Sequence, residues 1–294
     1  MKKFFCLMLC LLALPLFALG EDVFPPREYE FTHRAYRSYD SESLKYTMET
    51  FYVHGARCYL TKVWVQDPGR QIRKATADWK KNIQLPKDMA AKIPDAVLVI
   101  NGSGYVSPTY PWIPENYPGT NPDYYYTPLG SLTVTDGEVF RNLEGVPYYG
   151  LTLEADGLHM YVGEDNGTVL SAGPTQTWSF YVECPMMLNG EVLTPDDWTF
   201  AGRKACRTVL GRMDRNNYLI LSVSNEGQPG LSLHEVNDFF LKYFDGLEWL
   251  YDLDGGPSSA LLSRKQGSKK LSTVMGGHAK DADIMAFVEL PEGD

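Results

Sequence analysis

Short apolar runs separated by glycine-containing turns dominate the chain after its first fifty residues. Residues 56–65 and 97–100 are rich in the β-branched and aromatic residues of strands, and the second run is apolar throughout, as in a buried strand. Residues 130–142 and 150–162 each place Asp-Gly between alternating segments, which predicts two β-hairpins. We therefore expect the middle of the chain to form mainly antiparallel sheet.

One later stretch changes to helical periodicity. Residues 232–235 have the sequence Ser-Leu-His-Glu, a capping box, and apolar residues then recur at helical spacing until Asp-Gly at 245–246 ends the helix. The next apolar segments, 249–253 and 282–290, are predicted strands. Together these patterns predict an α+β fold: a single domain with mixed, mostly antiparallel sheet and a few helices.

The beginning of the chain has the pattern of a secretory signal over residues 1–20, with Lys2 and Lys3, an apolar run and a small-residue end. A membrane anchor is the alternative, but the run is short for a span, so we expect no stable membrane span after processing. Residues 21–50 are polar and mixed and are interpreted as an N-terminal extension before a catalytic domain over 51–294. The protein is expected to be secreted, periplasmic or extracellular.

Composition narrows the class of protein. The chain is 44% hydrophobic and 22% charged, which is ordinary for a globular protein, and its net charge of −10 argues against nucleic acid as a partner. Cys58, Cys184 and Cys206 follow the signal, and this odd number allows one disulfide with one thiol left over. The five histidines are scattered singly and no zinc-site spacing is present, so we predict no metal and no cofactor.

Candidate chemistry lies where predicted strands end in glycines. The segment from Tyr251 to Ala260 ends an apolar strand with Asp252 and Asp254 and continues with Gly-Gly, and the run 97–100 ends in Asn-Gly-Ser-Gly-Tyr over residues 101–105. Glycines let a ligand approach the main chain closely, so a carboxylate and backbone N–H groups would face the same space. The alternative for Asp254 is an ordinary Asp-Gly hairpin turn.

Residues 107–128 form an aperiodic stretch rich in Pro, Tyr, Trp and Asn. Its length suggests a functional loop or lid. Its aromatic rings suit the apolar faces of sugars, although packing of the loop onto its own domain is the other use of such rings.

Five short motifs occur in a fixed order: Asn101-Gly102, then Pro185 with Asn189-Gly190, then Arg207-Thr208 with Gly211, then residues 230–233 leading the capped helix, then residues 253–258. In this order they resemble the phosphodiester glycosidase family over roughly residues 50–290. The chain departs from the family pattern at three places: the family usually has Asn at position 252 and Gly at position 257, and a late Arg before the final strand is represented only by Lys280.

The resemblance implies a secreted hydrolase that cleaves a sugar-1-phosphodiester on a phosphorylated carbohydrate or cell-envelope glycan. The site residues expected to act in catalysis are Asp254, Arg207 and Asn101. The residues expected to bind substrate are Gly102, Ser103, Tyr105, Thr208, Asp252, Gly255, Gly256 and Ser258.

The chemistry of these side chains is consistent with that activity. A phosphomonoester is a good anionic leaving group, so the larger need is for a cation, which the planar fork of Arg207 and the glycine amides would supply. Asp254 would activate water or stabilise an oxocarbenium-like centre, and Asp252, on the same strand face about 7 Å away, would be a second carboxylate. A surface ion pair is the alternative for Arg207.

Two other functions stay open at this point. A glycan-binding envelope protein of the same fold would have lost turnover through the changes at positions 252 and 257. A metal-assisted phosphodiesterase would use Asp252 and Asp254 as oxygen ligands, since hard cations take carboxylates.

Overall fold

The computed structural model describes residues 29–78, 81–106, 126–180, 184–224, 226 and 229–291. The expected signal over residues 1–20 and most of the aromatic loop therefore lie outside the described residues. No helix within the described ranges is both long and apolar enough to cross a membrane.

The described part of the chain contains twenty strands and five α-helices. The strands are β1 (Arg34–Asp40), β2 (Leu44–Val53), β3 (Ala56–Val65), β4 (Ile72–Thr76), β5 (Ala96–Asn101), β6 (Tyr105–Val106), β7 (Thr127–Pro128), β8 (Leu132–Thr135), β9 (Glu138–Asn142), β10 (Tyr148–Glu154), β11 (Gly157–Glu164), β12 (Gln176–Ser179), β13 (Pro185–Leu188), β14 (Glu191–Val192), β15 (Arg207–Arg212), β16 (Asn217–Val223), β17 (Trp249–Asp252), β18 (Ala260–Arg264), β19 (Leu271–Gly276) and β20 (Asp283–Val288). The helices are α1 (Pro68–Gln71), α2 (Pro86–Ala90), α3 (Asn166–Ser171), α4 (Thr199–Gly202) and α5 (Leu233–Tyr243), and Gly256–Ser258 forms a 3-10 turn.

Two large sheets make up the domain. One has eight strands in the order β1-β2-β3-β16-β15-β17-β13-β14, and the other has five in the order β19-β18-β5-β20-β4. Smaller sheets are β11-β10-β12, β6-β7 and β8-β9. Every strand pair among the described residues is antiparallel. The prediction of a single α+β domain with mostly antiparallel sheet is confirmed.

The alternation of side chains along the strands explains how the sheets stack. In β20, Met285 and Phe287 point into the main core, which also receives Ile220 from β16, while Ile284 and Ala286 point to the opposite face. The two large sheets therefore pack face to face, because strand side chains alternate between faces with a period of two.

A helix covers the outer face of each large sheet. Helix α5 packs Val236 and Phe240 onto the eight-stranded sheet, and α2 packs Met89 onto the five-stranded sheet. The capping box of α5 is present as predicted: Ser232 accepts a hydrogen bond from the Glu235 N–H, and the Glu235 carboxylate accepts from the Ser232 N–H. The result is a layered fold in which both sheets are largely buried.

One sequence prediction needs correction. The segment 21–50 was predicted to be an extension, but residues 34–50 form β1 and most of β2 within the eight-stranded sheet, because their alternating tyrosines and aliphatic residues pack into its core. The cysteine count allowed one disulfide, and none joins Cys58, Cys184 and Cys206 to one another in the described part of the chain. Burial raises the pKa of the Cys58 thiol to about 12, so this thiol is unreactive.

Candidate functional site

The carboxyl ends of β5 and β17 meet at the side chain of Asn101, which is fully buried. Its amide Nδ2 donates to the backbone oxygen of Asp254 at 2.6 Å. Its Oδ1 accepts from the Thr208 hydroxyl at 2.7 Å and from the backbone N–H of Ala260 at 2.9 Å. One amide thus joins the five-stranded sheet, the start of β15 and both ends of the turn after β17, so the two predicted strand endings do lie together.

Asp254 projects from this junction and is half-buried. Its backbone N–H donates to the Gly102 oxygen at 3.1 Å, which completes the link between the two strand ends. Burial raises the pKa of the Asp254 carboxyl to about 7, and the negative charges of Asp252 and Asp283 add to that rise. Hydrogen bonds from the Ser258 side chain and the Gly255 backbone oppose it. A carboxyl with this pKa exchanges a proton near neutral pH.

Arg207 lies beneath the site and is closed off from solvent. Its Nη1 forms an ion pair with Asp252 Oδ2 at 3.3 Å, and both side chains are 0% exposed. Its Nη2 donates to the backbone oxygens of Arg203 at 2.8 Å and Phe200 at 3.2 Å, and its Nε donates to Leu231 at 3.4 Å. Four of its five N–H donors are therefore used within the protein, and the fork faces no open space.

This placement bears on three interpretations of the sequence: a surface ion pair for Arg207, a phosphate-binding role for its fork, and a pair of open carboxylates. Arg207 is not in the surface ion pair that was its alternative, and it does not present a free fork to a phosphate. Asp252 is also buried, because β17 directs it toward Arg207 instead of toward solvent. Burial raises the pKa of Asp252, and the guanidinium opposes that rise. The expected pair of open carboxylates, Asp252 with Asp254, is therefore not formed.

The glycine amides are also engaged. The N–H of Gly102 donates to the Asp283 backbone oxygen at 3.1 Å, and that of Gly256 donates to the Cys206 oxygen at 3.0 Å. Gly102 is required for packing, since a Cβ there would lie 1.9 Å from Asp283 Oδ1. These glycines shape the site by close backbone contact and do not leave these amides open to an anion.

The other predicted binding residues surround the junction. Ser103 is buried and its N–H donates to Asp283 Oδ1 at 2.7 Å. The Thr208 hydroxyl is used by Asn101, and Ser258 faces the Asp254 carboxyl from the 3-10 turn. The Tyr105 hydroxyl donates to the Lys280 backbone oxygen at 3.1 Å, which places this tyrosine beside the loop that enters β20.

Sequence reasoning missed two acids in that loop and strand, Asp281 and Asp283, which are 1% and 0% exposed. Asp283 forms an ion pair with Lys74 at 3.0 Å, and both side chains are 0% exposed. Asp281 carries a pKa far above its usual range because it is buried and lies near the charge of Asp254. The sequence did contain a signal for these acids, because they lie just before and at the beginning of an apolar strand. Only the antiparallel pairing of Ile284 with Asn101 brings that strand end to the site.

A group with metal-ligand geometry lies elsewhere. Ligand atoms of Glu154, Asp156 and His159 lie within 4.8 Å of one another, and no other such group of three occurs in the described ranges. The His159 Nε2 and Asp156 Oδ1 are already 2.7 Å apart and hydrogen-bonded. The hairpin contacts Arg212, at the far end of β15 from Arg207, so these three residues belong to a different part of the molecule. His159 therefore lies beside two acids in space, although the histidines are scattered singly along the sequence.

A cleft of about 360 Å³ also lies away from the junction. Its lining includes Asp95, at the start of β5, and Glu289, after the end of β20, whereas Asn101 and Asp283 occupy the opposite ends of these strands. Lys74, which forms the ion pair with Asp283 at 3.0 Å, also lines this cleft.

Known proteins resemble this chain in sequence profile and in fold. A family profile described as phosphodiester glycosidase matches residues 94–283. The catalytic domain of zebrafish N-acetylglucosamine-1-phosphodiester alpha-N-acetylglucosaminidase, auto-inhibited by its pro-peptide, has a similar structure, with 17% identity over 88% of this chain and 89% of that chain and a TM-score of 0.62. A hypothetical protein from Synechocystis has 11% identity over 89% of this chain and 69% of that chain, with a TM-score of 0.53. No curated protein sequence matches this chain.

Proposed function

Since the chain belongs to the phosphodiester glycosidase family, we propose that it is a hydrolase that cleaves the bond between a sugar C1 and a phosphodiester oxygen. The proposed substrate is a sugar-1-phosphodiester carried by a glycan or cell-envelope polymer, met outside the cytoplasm after removal of the signal at residues 1–20.

The observation that carries this proposal is the setting of Asp254. Its backbone is fixed from two sides, by the Asn101 amide at 2.6 Å and by Gly102 at 3.1 Å, while the residue is half-buried and its carboxyl has a pKa of about 7. A carboxylate held rigidly and able to accept a proton near neutral pH suits activation of water or stabilisation of positive charge at C1. The leaving phosphomonoester is already anionic and needs little help from an acid.

The phosphate still needs a cation. Arg207 would have to leave Asp252 and three carbonyl oxygens to bind it directly, so we assign Arg207 the role of a positioning residue that fixes the start of β15 and Asp252. The exposed Lys280, next to Asp281 and tied to Tyr105 through its backbone, is the basic side chain we assign to the phosphate. A lysine provides a point charge without the bidentate geometry of arginine.

A turnover assay tests the proposal. The protein is incubated with a panel of alkyl sugar-1-phosphodiesters, and release of reducing sugar is measured. Asp254→Asn should lower kcat/KM by about 100-fold or more, because the amide cannot accept the proton. The wild-type kcat/KM should fall as the pH drops through about 7, where Asp254 becomes protonated.

The matched control is Asp238→Asn, the same chemical change on the exposed face of α5, which should leave kcat/KM unaltered. A folded Asp254→Asn protein with wild-type kcat/KM would remove Asp254 from the reaction. If wild type binds the diesters by calorimetry but turns none over, the glycan-binding function replaces the enzymatic one.

A further inference from the structure

Lys74 is a charged side chain that the reaction above does not use, and it lies inside the molecule. It pairs with Met285 where β4 meets β20, and its ammonium and the Asp283 carboxylate are both 0% exposed and 3.0 Å apart. The ammonium also donates to the Thr177 oxygen at 2.6 Å and lies over the Trp178 ring. Taking two charges out of water is costly, so a pair of this kind adds little to stability compared with apolar residues of the same size.

The Asp283 carboxylate uses its other oxygen on the backbone beside the site. Its Oδ1 accepts from the Ser103 N–H at 2.7 Å, and the Asp283 backbone oxygen accepts from the Gly102 N–H at 3.1 Å. Asp283 therefore receives two consecutive backbone N–H groups. Lys74 fixes the carboxylate that receives one of them.

The segment 102–104 depends on such bonds, because its sequence is Gly-Ser-Gly. Glycines have no side chain to pack and many accessible backbone conformations, so contacts from outside must fix the segment. The contact with Asp283 is close, since a Cβ at Gly102 would lie 1.9 Å from Asp283 Oδ1. The Gly102 oxygen in turn accepts from the Asp254 N–H at 3.1 Å. A displacement of this segment would therefore displace the Asp254 backbone.

We propose that Lys74 and Asp283 are positioning residues for Asp254. Lys74 fixes the Asp283 carboxylate, and that carboxylate fixes the Ser103 N–H. The segment held in this way then fixes the main chain of Asp254 through the Gly102 oxygen. The effect on turnover rests on the proposed function, whereas the effect on the backbone does not.

Two double variants without the buried charges isolate the bond to Ser103. Lys74→Met/Asp283→Asn keeps a side-chain oxygen that can accept from the Ser103 N–H, whereas Lys74→Met/Asp283→Leu keeps the volume but has no acceptor. Replacing a buried ion pair by uncharged residues of similar volume is often neutral or stabilising, so both proteins should fold. Lys74→Met/Asp283→Ala, which adds no bulk, takes the place of the leucine protein if that one does not fold.

Amide hydrogen exchange followed by NMR on the substrate-free protein measures the backbone effect. The Ser103 and Asp254 N–H groups should exchange about tenfold faster or more in the leucine double variant, because one has lost its acceptor and the other is bonded to the displaced Gly102. In the asparagine double variant both rates should stay within about threefold of wild type. The matched control, Lys45→Met/Asp40→Leu at an exposed ion pair, should change neither rate. Equal Asp254 rates in the two double variants would overturn the proposal whether or not the protein is an enzyme.

Kinetics on the sugar-1-phosphodiesters tests the consequence for turnover. The leucine double variant should lower kcat by about tenfold or more with little change in KM, since a small displacement of a reacting group is costly. The asparagine double variant should keep kcat within about fivefold of wild type. If the wild type is active and the two double variants have the same kcat, the pair has no positioning role. If the wild type turns over none of the diesters while the Asp254 exchange rates differ as expected, the proposed function fails and the positioning of the Asp254 backbone stands.

Discussion

Replacement of Asn101 by alanine tests whether one buried amide holds the site together. The side chain makes three hydrogen bonds, at 2.6, 2.7 and 2.9 Å, to the Asp254 oxygen, the Thr208 hydroxyl and the Ala260 N–H. Asn101→Ala leaves two buried partners and one partly buried partner without that amide, and alanine has no group that can replace it.

The expected cost follows from those three groups. A buried polar group left without its partner costs about 1–3 kcal/mol. Because the three share one side chain, their costs are not additive, and we expect a total loss of about 3–6 kcal/mol in the free energy of unfolding. Domains of this kind have about 5–15 kcal/mol in all, so the change should be large but compatible with folding.

Urea denaturation followed by circular dichroism measures this loss. The matched control is Asn237→Ala, at another buried asparagine, whose side chain makes one hydrogen bond, to Thr194 at 2.9 Å. It should cost about 1–2 kcal/mol. A double-mutant cycle between Asn101→Ala and Thr208→Val should give a coupling of about 0.5–3 kcal/mol.

Two outcomes would refute the reasoning. Equal losses for Asn101→Ala and Asn237→Ala would mean that the junction does not depend on its three bonds. A coupling near zero with Thr208 would mean that their 2.7 Å contact contributes nothing to stability.

Two further tests concern the role of Arg207 and the bond that is cleaved. Arg207→Lys keeps the charge beside Asp252 but loses donors to Phe200, Arg203 and Leu231, so it should destabilise the fold by about 2 kcal/mol or more in urea denaturation. A variant as stable as wild type would contradict the positioning role of the buried Arg207. Hydrolysis in ¹⁸O-water with a chelator present should put the label on the sugar and none on the phosphomonoester, because the role proposed for Asp254 is at C1. Label in the phosphomonoester, or complete loss of activity with the chelator, would favour a metal-assisted phosphodiesterase instead.

Local sequence was sufficient for the elements that carry their own signals. The Ser-Leu-His-Glu capping box and the helical spacing after it predicted α5, and Asp-Gly at 136–137 and 156–157 predicted the hairpins β8–β9 and β10–β11. Strand endings in Asn-Gly and Asp-Gly also pointed to Asn101 and Asp254. These signals are local, because caps and turns depend on a few consecutive residues.

The beginning of the domain shows where local pattern was insufficient. Residues 34–50 look polar and irregular, yet Tyr46 and Met48 are 1% exposed in the core. Their burial depends on β3 and the facing sheet, which lie beyond any short window of sequence. Tertiary packing therefore overrode a weak local preference.

The sequence by itself thus determined that strands end in polar residues and glycines, and which side chains those are. Only the tertiary structure decided their chemical state. Arg207 and Asp252 are paired with each other and closed off from water, so neither is available to a ligand. Asp281 lies near the site because β20 runs antiparallel to β5. The physical reason is that the pKa and the availability of a charged group depend on burial and on neighbours distant in the chain, which its local sequence does not contain.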